Sequence, residues 1–110
     1  MRRKDRPFVP LRRSGETERE LLDKIRGGDE QAFYRTVQLY WDDVCWLALM
    51  ALREKKTGSK LLNAANSVVR EVFITFWEGH QDLNASRPIQ DILDDLAILI
   101  LVRRERDEAE

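Results

Sequence analysis

The sequence has few residues that bind metals or form disulfides: its 110 residues include one cysteine, Cys45, and one histidine, His80. A single cysteine excludes an intrachain disulfide, and one cysteine with one histidine excludes a His/Cys zinc site. Such cysteine usage is typical of a reducing, intracellular compartment. Cys45 lies in an apolar stripe, which favours a small core residue over a reactive thiol.

Glycine and proline are also scarce, at five and three residues, and long hydrophobic runs are missing. A composition of 43% hydrophobic and 35% charged residues excludes collagen-like and wholly disordered chains. The longest apolar run, 96–102, is far shorter than the roughly 20 residues that a membrane-spanning helix needs. The N-terminus lacks the apolar segment of a signal peptide. We therefore expect one cytoplasmic domain with no membrane segment.

Charge is unevenly distributed, although the net charge is only −1. Residues 1–13 carry six basic side chains against one acid, which leaves a net charge of −6 on residues 14–110. We interpret residues 1–16 as a basic flexible arm that binds polyanions weakly and in a salt-sensitive manner. Its basic residues are Arg2, Arg3, Lys4, Arg6, Arg12 and Arg13. The acidic remainder argues against broad binding of phosphate backbones by the folded part.

Hydrophobic periodicity predicts four helices and no strand. The first begins with a capping box at Thr17 and Glu20 and ends at the pair Gly27-Gly28. Asp29 is expected to cap the second helix through its side chain. The apolar stripe of the second helix comprises Phe33, Val37, Tyr40, Val44, Leu47, Ala48 and Ala51.

The third helix is expected to be capped by Ser59 and to close near Gly79. A polar loop over 79–87 follows, in which His80 is expected to be solvent-exposed, and the fourth helix then covers about 88–104. The third helix's inner face comprises Leu61, Leu62, Ala65, Val68, Val69, Val72, Phe73 and Phe76. That of the fourth comprises Ile89, Ile92, Leu93, Leu96, Leu99 and Ile100.

These elements predict an all-α fold, a four-helix, mostly antiparallel bundle over residues 17–104, followed by a charged tail at 105–110. The sequence has no Gly-rich phosphate loop, nucleophile elbow or zinc-protease helix. Asp94 and Asp95 point about 100° apart on a helix, so we interpret them as surface charge. We expect a protein that is not an enzyme, with no catalytic residue, metal or cofactor.

Several segments resemble a known family in their order and spacing. They are Leu21–Phe33 (LLDKIRGGDEQAF), Leu39–Trp41 (LYW), Leu47-Ala48, Val68–Glu78 (VVREVFITFWE) and Asp82-Leu83. Together they resemble region 2 of bacterial RNA polymerase sigma factors of the extracytoplasmic function class, in particular the Bacteroidetes-like variety. The resemblance covers residues 18–104, and the family's region 2 is also a helical bundle.

The resemblance implies a role in transcription initiation. In the family, the third helix docks on the coiled coil of the polymerase β′ subunit, so polymerase-facing positions here are Ser67, Arg70, Glu71 and Ile74. The fourth helix and the loop before it capture the unpaired strand of the −10 promoter element. Candidate DNA-binding residues on this surface are Arg87, Gln90, Arg103 and Arg104. Implied partners are core RNA polymerase, promoter DNA and an anti-sigma factor.

The chain also departs from the family pattern. Arg70 replaces a usual glutamine, and Asp95 and Ile98 stand where the family attracts phosphates. Aspartates at 91, 94 and 95 repel a nucleic-acid strand. A second hypothesis is therefore a degenerate relative that acts as a protein-interaction module, either a homodimer or a regulator of another transcription protein. Sigma factors of this class carry a further helix-turn-helix domain, and 110 residues leave both a fragment and a stand-alone protein open.

An apolar surplus on the fourth helix indicates a protein interface. Ile98, Leu101 and Val102 are large aliphatics that lie away from the centre of the predicted core stripe. Soluble monomers rarely leave such a patch in water. Its cover is expected to be a second copy or a partner protein, with two alternatives: arm residues Phe8, Val9 and Leu11, or a downstream domain.

Overall fold

A computed structural model describes residues 17–84 and 86–109 of the chain. They form α1 (Glu18–Arg26), α2 (Glu30–Leu52), α3 (Gly58–Glu78) and α4 (Ile89–Ala109), with a 3-10 turn at His80–Asp82. The described residues contain no strand, which confirms the all-α class and the four helices. The proposed basic arm, 1–16, lies outside the described residues.

The first two helices begin where local side-chain chemistry predicts. The Thr17 hydroxyl oxygen accepts a hydrogen bond from the Glu20 backbone N–H at 3.0 Å, and the Glu20 carboxylate accepts one from the Thr17 N–H at 2.9 Å. The capping box is therefore complete. Asp29 accepts from the Ala32 N–H at 3.1 Å and so caps α2. Between the two helices, Gly28 has a φ of +91°, a backbone conformation that L side chains rarely adopt.

Two predicted boundaries are wrong. Ser59 is not the cap of α3, because the chain turns at Gly58, with a φ of +61°, and the helix already begins there. The fourth helix does not end at residue 104 but continues to Ala109. Ion pairs from Lys55 to Glu105 (2.6 Å) and from Lys56 to Glu108 (3.7 Å) attach its last turns to the segment after α2. The closure of α3 at Gly79 is confirmed.

One hydrophobic core unites the helices, and α2 lies at its centre because it contacts α1, α3 and α4. Leu62 and Leu99, expected in the core, are instead 56% and 57% exposed, and Ala51 is exposed as well. On α4 the position between Leu93 and Ile100 that faces inward is Ala97, which is completely buried. A helix advances about 100° per residue, so a buried Ala97 turns Leu99 outward.

His80 is not a solvent-exposed loop residue as expected. Its ring stacks on that of Trp77, with 4.3 Å between ring centroids and 14° between planes. Its Nδ1 donates to the Trp77 carbonyl oxygen at 2.6 Å. The polar segment after α3 is therefore partly ordered as a 3-10 turn, which also contacts α1.

The carboxylate of Glu18 joins three helices at one end of the fold. Its Oε2 accepts from the Tyr40 hydroxyl at 3.0 Å and from the Ile89 backbone N–H at 3.1 Å. The second bond satisfies one of the N–H groups that a helix leaves without a partner at its start. Burial, followed by the negative charge of Glu18, raises the pKa of Tyr40 above its ordinary value.

None of the helices in the described ranges combines the length and apolarity required to span a membrane.

The first prediction concerns this three-helix contact. Glu18→Ala leaves the Tyr40 hydroxyl and the Ile89 N–H without their acceptor and should lower the free energy of unfolding by about 1–3 kcal/mol. The matched control is Glu20→Ala, which removes only an exposed capping bond and should cost about 1 kcal/mol or less. Chemical denaturation of both variants measures the difference. Equal losses would contradict the role of Glu18 as a contact between helices.

Candidate functional site

Two arginines of α4 converge on one carboxylate of α3. Arg104 donates to Glu71 Oε1 from Nη2 at 2.6 Å and from Nε at 3.1 Å, while Arg103 donates to Glu71 Oε2 at 2.9 Å. Arg104 Nη2 also donates to the hydroxyl of Ser67 at 3.1 Å. We call these four residues the Glu71 cluster. Ser67 and Glu71 are one helical turn apart, which places both on the side of α3 that faces α4.

The Glu71 cluster merges two surfaces that the sequence interpretation kept apart. Ser67 and Glu71 were expected to face the polymerase, and Arg103 and Arg104 to face DNA. The structure brings all four into direct contact instead, so neither pair is available independently of the other. The sequence could not reveal this, because the contacts join residues 32 to 37 positions apart.

The two arginines also shift the titration of the carboxylate. The hydrogen bonds and the positive charge of Arg104 lower the pKa of Glu71 below its ordinary value near 4.5, and Arg103 acts in the same direction. Partial burial of the carboxylate opposes this shift. Glu71 is thus ionised across the neutral range, and its charge offsets part of that of the arginines. Charge-assisted hydrogen bonds to both oxygens of one carboxylate hold these side chains in defined positions.

The other two candidate DNA-binding residues, Arg87 just before α4 and Gln90 in its first turn, are paired with acids of α4. Arg87 donates to Asp95 at 2.7 Å, and the Gln90 amide donates to Asp94 at 2.8 Å. Asp95 and Asp94 are therefore surface charges with partners on the same face. Over residues 89–102, α4 carries three aspartates and no lysine or arginine. This stretch offers a phosphate backbone no net attraction.

Beside the Glu71 cluster, α3 presents an exposed apolar side chain. Ile74 is 56% exposed, and Arg70, one turn earlier on the helix, is exposed as well. Ile74 lies four residues after Arg70 and three after Glu71, so it is a neighbour of both on one side of the helix. We call these three residues the α3 face. Arg70 and Ile74 are exposed, whereas Glu71 and Ser67 are half-buried and both contact Arg104.

The apolar surplus of α4 borders an open groove of about 300 Å³. Ile98 and Val102 stand in solvent at 52% and 50% exposure, whereas Leu101 is half-buried and packs against the core. The apolar lining of the groove is Ala51, Leu52, Ala64, Val68, Ile98, Leu101 and Val102. The sequence did not predict that residues of α2 and α3 line this groove. Only the folded chain brings these two helices and α4 around the same groove.

Cys45 is half-buried and packs against the core, in line with its interpretation as a small apolar residue. Burial raises the pKa of its thiol, which disfavours the reactive thiolate. Within residues 17–84 and 86–109, no group of three or more His, Cys, Asp or Glu side chains is arranged to hold a metal ion.

Comparison of the chain with protein-family models, curated proteins and solved structures gave no match. The family resemblance therefore rests on the sequence segments quoted above.

The second prediction follows from the lowered pKa of Glu71. A carboxylate whose pKa is lower in the folded than in the unfolded state stabilises the fold above its ordinary pKa, and this stabilisation is lost as the pH falls through the folded value. Glu71→Gln should therefore reduce stability near pH 7 and weaken the further loss below about pH 4.5. Urea unfolding between pH 3 and pH 7 measures both effects.

The matched control is Glu78→Gln, which removes an exposed carboxylate from the last turn of the same helix. It should leave the acid-dependent loss of the wild type in place. If the free energy of unfolding of Glu71→Gln changed with pH in parallel with that of the wild type, the arginines would not stabilise ionised Glu71.

Proposed function

We propose that the chain is a protein-binding module of the transcription machinery that docks on core RNA polymerase through the α3 face. The observation that carries this proposal is the exposed Ile74 beside a carboxylate that two arginines hold in place. In this proposal the helices form a mostly antiparallel bundle of the sigma region 2 type, and the protein acts in the cytoplasm, where the polymerase is.

The α3 face has the features of a docking surface. Ile74 supplies a large aliphatic side chain that a partner could bury, and Arg70 supplies a charge that is free to extend from the helix. Glu71 is already fixed by Arg103 and Arg104, so little side-chain entropy would be lost when a partner contacts it. Apolar anchors with a charged rim dominate the affinity of many protein interfaces.

The identity of the partner comes from the resemblance to sigma region 2, in which this helix docks on the β′ coiled coil. A coiled coil presents charged side chains alongside an apolar seam. Such a surface is complementary in chemistry to an isoleucine flanked by an arginine and a glutamate. An anti-sigma factor or a second copy would be an alternative occupant of the same face.

The contacts of α4 favour protein binding over promoter capture. Arg87, Arg103 and Arg104 each hold an ion pair with an acid of this chain, and a DNA strand would have to compete for them. Exposed pairs contribute only about 0–1 kcal/mol each, yet the carboxylates left behind, Asp95 and Glu71, would repel the strand. We therefore propose a module that binds polymerase without recognising a promoter of its own.

The third prediction tests polymerase docking with two equally exposed positions on α3. Ile74→Glu should weaken binding to a purified β′ coiled-coil fragment about tenfold or more, because it places a charge at the apolar anchor. Leu62→Glu makes the same kind of change at a residue that is also 56% exposed. Leu62 lies about 18 Å from Ile74 toward the N-terminal end of the helix, so this variant should leave binding unchanged. Isothermal titration calorimetry measures both affinities. No binding by the wild-type chain at tens of micromolar, or equal losses in the two variants, would contradict the proposal.

The fourth prediction concerns nucleic acid. Weak binding of labelled single-stranded DNA by the full chain should come from the N-terminal basic residues and fall steeply between 50 and 200 mM salt. Arg2→Ala/Arg3→Ala should weaken it several-fold, whereas Arg87→Ala/Arg103→Ala, which removes the same charge, should change it little. Fluorescence anisotropy with two unrelated DNA sequences provides the measurement. A sequence preference that disappears in the Arg87/Arg103 variant would instead establish α4 as a DNA-binding surface.

A further inference from the structure

The outward side of α4 changes its chemistry along the helix. Its first turns carry the exposed acids Asp91 and Asp95, and the next turns carry three large aliphatics. Those aliphatics, Ile98, Leu99 and Val102, are each at least half exposed. We call these five residues the α4 outer face. Within the described residues nothing covers it, although soluble proteins seldom leave contiguous aliphatic side chains in water.

The described part of the chain begins beside the acidic end of this face. Thr17 immediately precedes Glu18, whose carboxylate lies 3.1 Å from the backbone nitrogen of Ile89, the first residue of α4. The residues before Thr17 therefore join the fold at the start of α4, within a few residues of Asp91.

The sequence before Thr17 matches the α4 outer face in order. Counted back from Thr17, it has a basic pair, Arg12-Arg13, and then an apolar stretch, Pro7–Leu11. Counted forward from Ile89, α4 has aspartates and then aliphatics. Counted from the contact between Glu18 and Ile89, both segments therefore have charged residues first and apolar residues second. The charges are basic before Thr17 and acidic on α4.

The distances also agree. At about 1.5 Å per helical residue, the aliphatics of the α4 outer face lie roughly 14–20 Å from the start of the helix. At about 3.3 Å per extended residue, Phe8–Leu11 reach roughly 20–30 Å from Thr17. The segment is therefore long enough to cover the aliphatics.

We propose that residues 7–13 dock in cis along the α4 outer face. Phe8, Val9 and Leu11 cover the aliphatics of that face, and Arg12 and Arg13 lie against its aspartates. Proline has a fixed backbone φ, so Pro7 and Pro10 lower the conformational entropy that docking would cost. The short connection gives the segment a high effective concentration at this site, ahead of any second copy or partner.

This proposal does not depend on polymerase binding. It assigns the N-terminal segment a second role beside its charge: to occupy the face that the family resemblance assigns to the promoter strand. The docked segment would also place its own arginines on the aspartates that otherwise repel DNA.

The test is a photocross-link within the full chain. Phe8 is replaced by p-benzoylphenylalanine, the protein is irradiated at low micromolar concentration, and cross-linked peptides are located by mass spectrometry. The expected result is a cross-link within one chain to residues 98–102. Cross-linked dimers joined at these residues would assign the face to a second copy, and cross-links confined to other regions would assign the segment elsewhere; either result overturns the proposal.

A charge-reversal pair tests the electrostatic part. Asp91→Lys places a cation on the α4 outer face and should lower the yield of the 98–102 cross-link at least threefold. Glu30→Lys is the matched control, because Glu30 is likewise the acid in the first turn of its helix and the charge change is equal. The Glu30→Lys variant should give the same yield of the 98–102 cross-link as the wild type. Equal yields in all three proteins would overturn the assignment of Arg12 and Arg13 to the aspartates.

Discussion

The carboxylate of Glu18 fixes where α4 begins, and much of the remaining structure follows from that point. It accepts from the first backbone N–H of α4 and from the buried Tyr40 hydroxyl at once. With the start of α4 anchored on α1 and α2, the rise of the helix determines where each later residue lies. The arginines at 103 and 104 then meet Glu71 on α3. A local cap near one end of the molecule is thus linked geometrically to the charged cluster farther along α4.

The parts of the fold that the sequence predicted are those governed by neighbouring residues. The caps at Thr17 and Asp29 depend on atoms three residues away, and both were predicted correctly. The start of α3 and the length of α4 were not, because Gly58 turns the chain early and the last turns of α4 are attached to residues 50 positions away. The outward Leu99 was missed for a similar reason: the inward direction of α4 is set by the helices it packs on.

The candidate site shows the same division between residue identity and pairing. The sequence identified charged and apolar side chains on the third and fourth helices that the structure places at or near the surface. It could not show that Arg104 and Glu71 bind each other, because they lie on separate helices. The proposed function rests on that pairing: cations already held by acids are poor ligands for phosphate, whereas a fixed carboxylate beside an exposed Ile74 suits a protein partner.

The α3 face and the α4 outer face are adjacent through the Glu71 cluster, since Val102 directly precedes Arg103. A partner that drew the Glu71 carboxylate toward its own cation would leave two arginines without their acid, next to the aliphatics of α4. Their positive charge would then repel the docked segment, residues 7–13, and the basic residues that precede it in the sequence. A partner bound at the α3 face would in this way disfavour docking of the segment on the α4 outer face. The size of this effect is limited to the free energy of the ion pairs that are exchanged. Such coupling needs no movement of the backbone, because it requires only that Glu71 change partners.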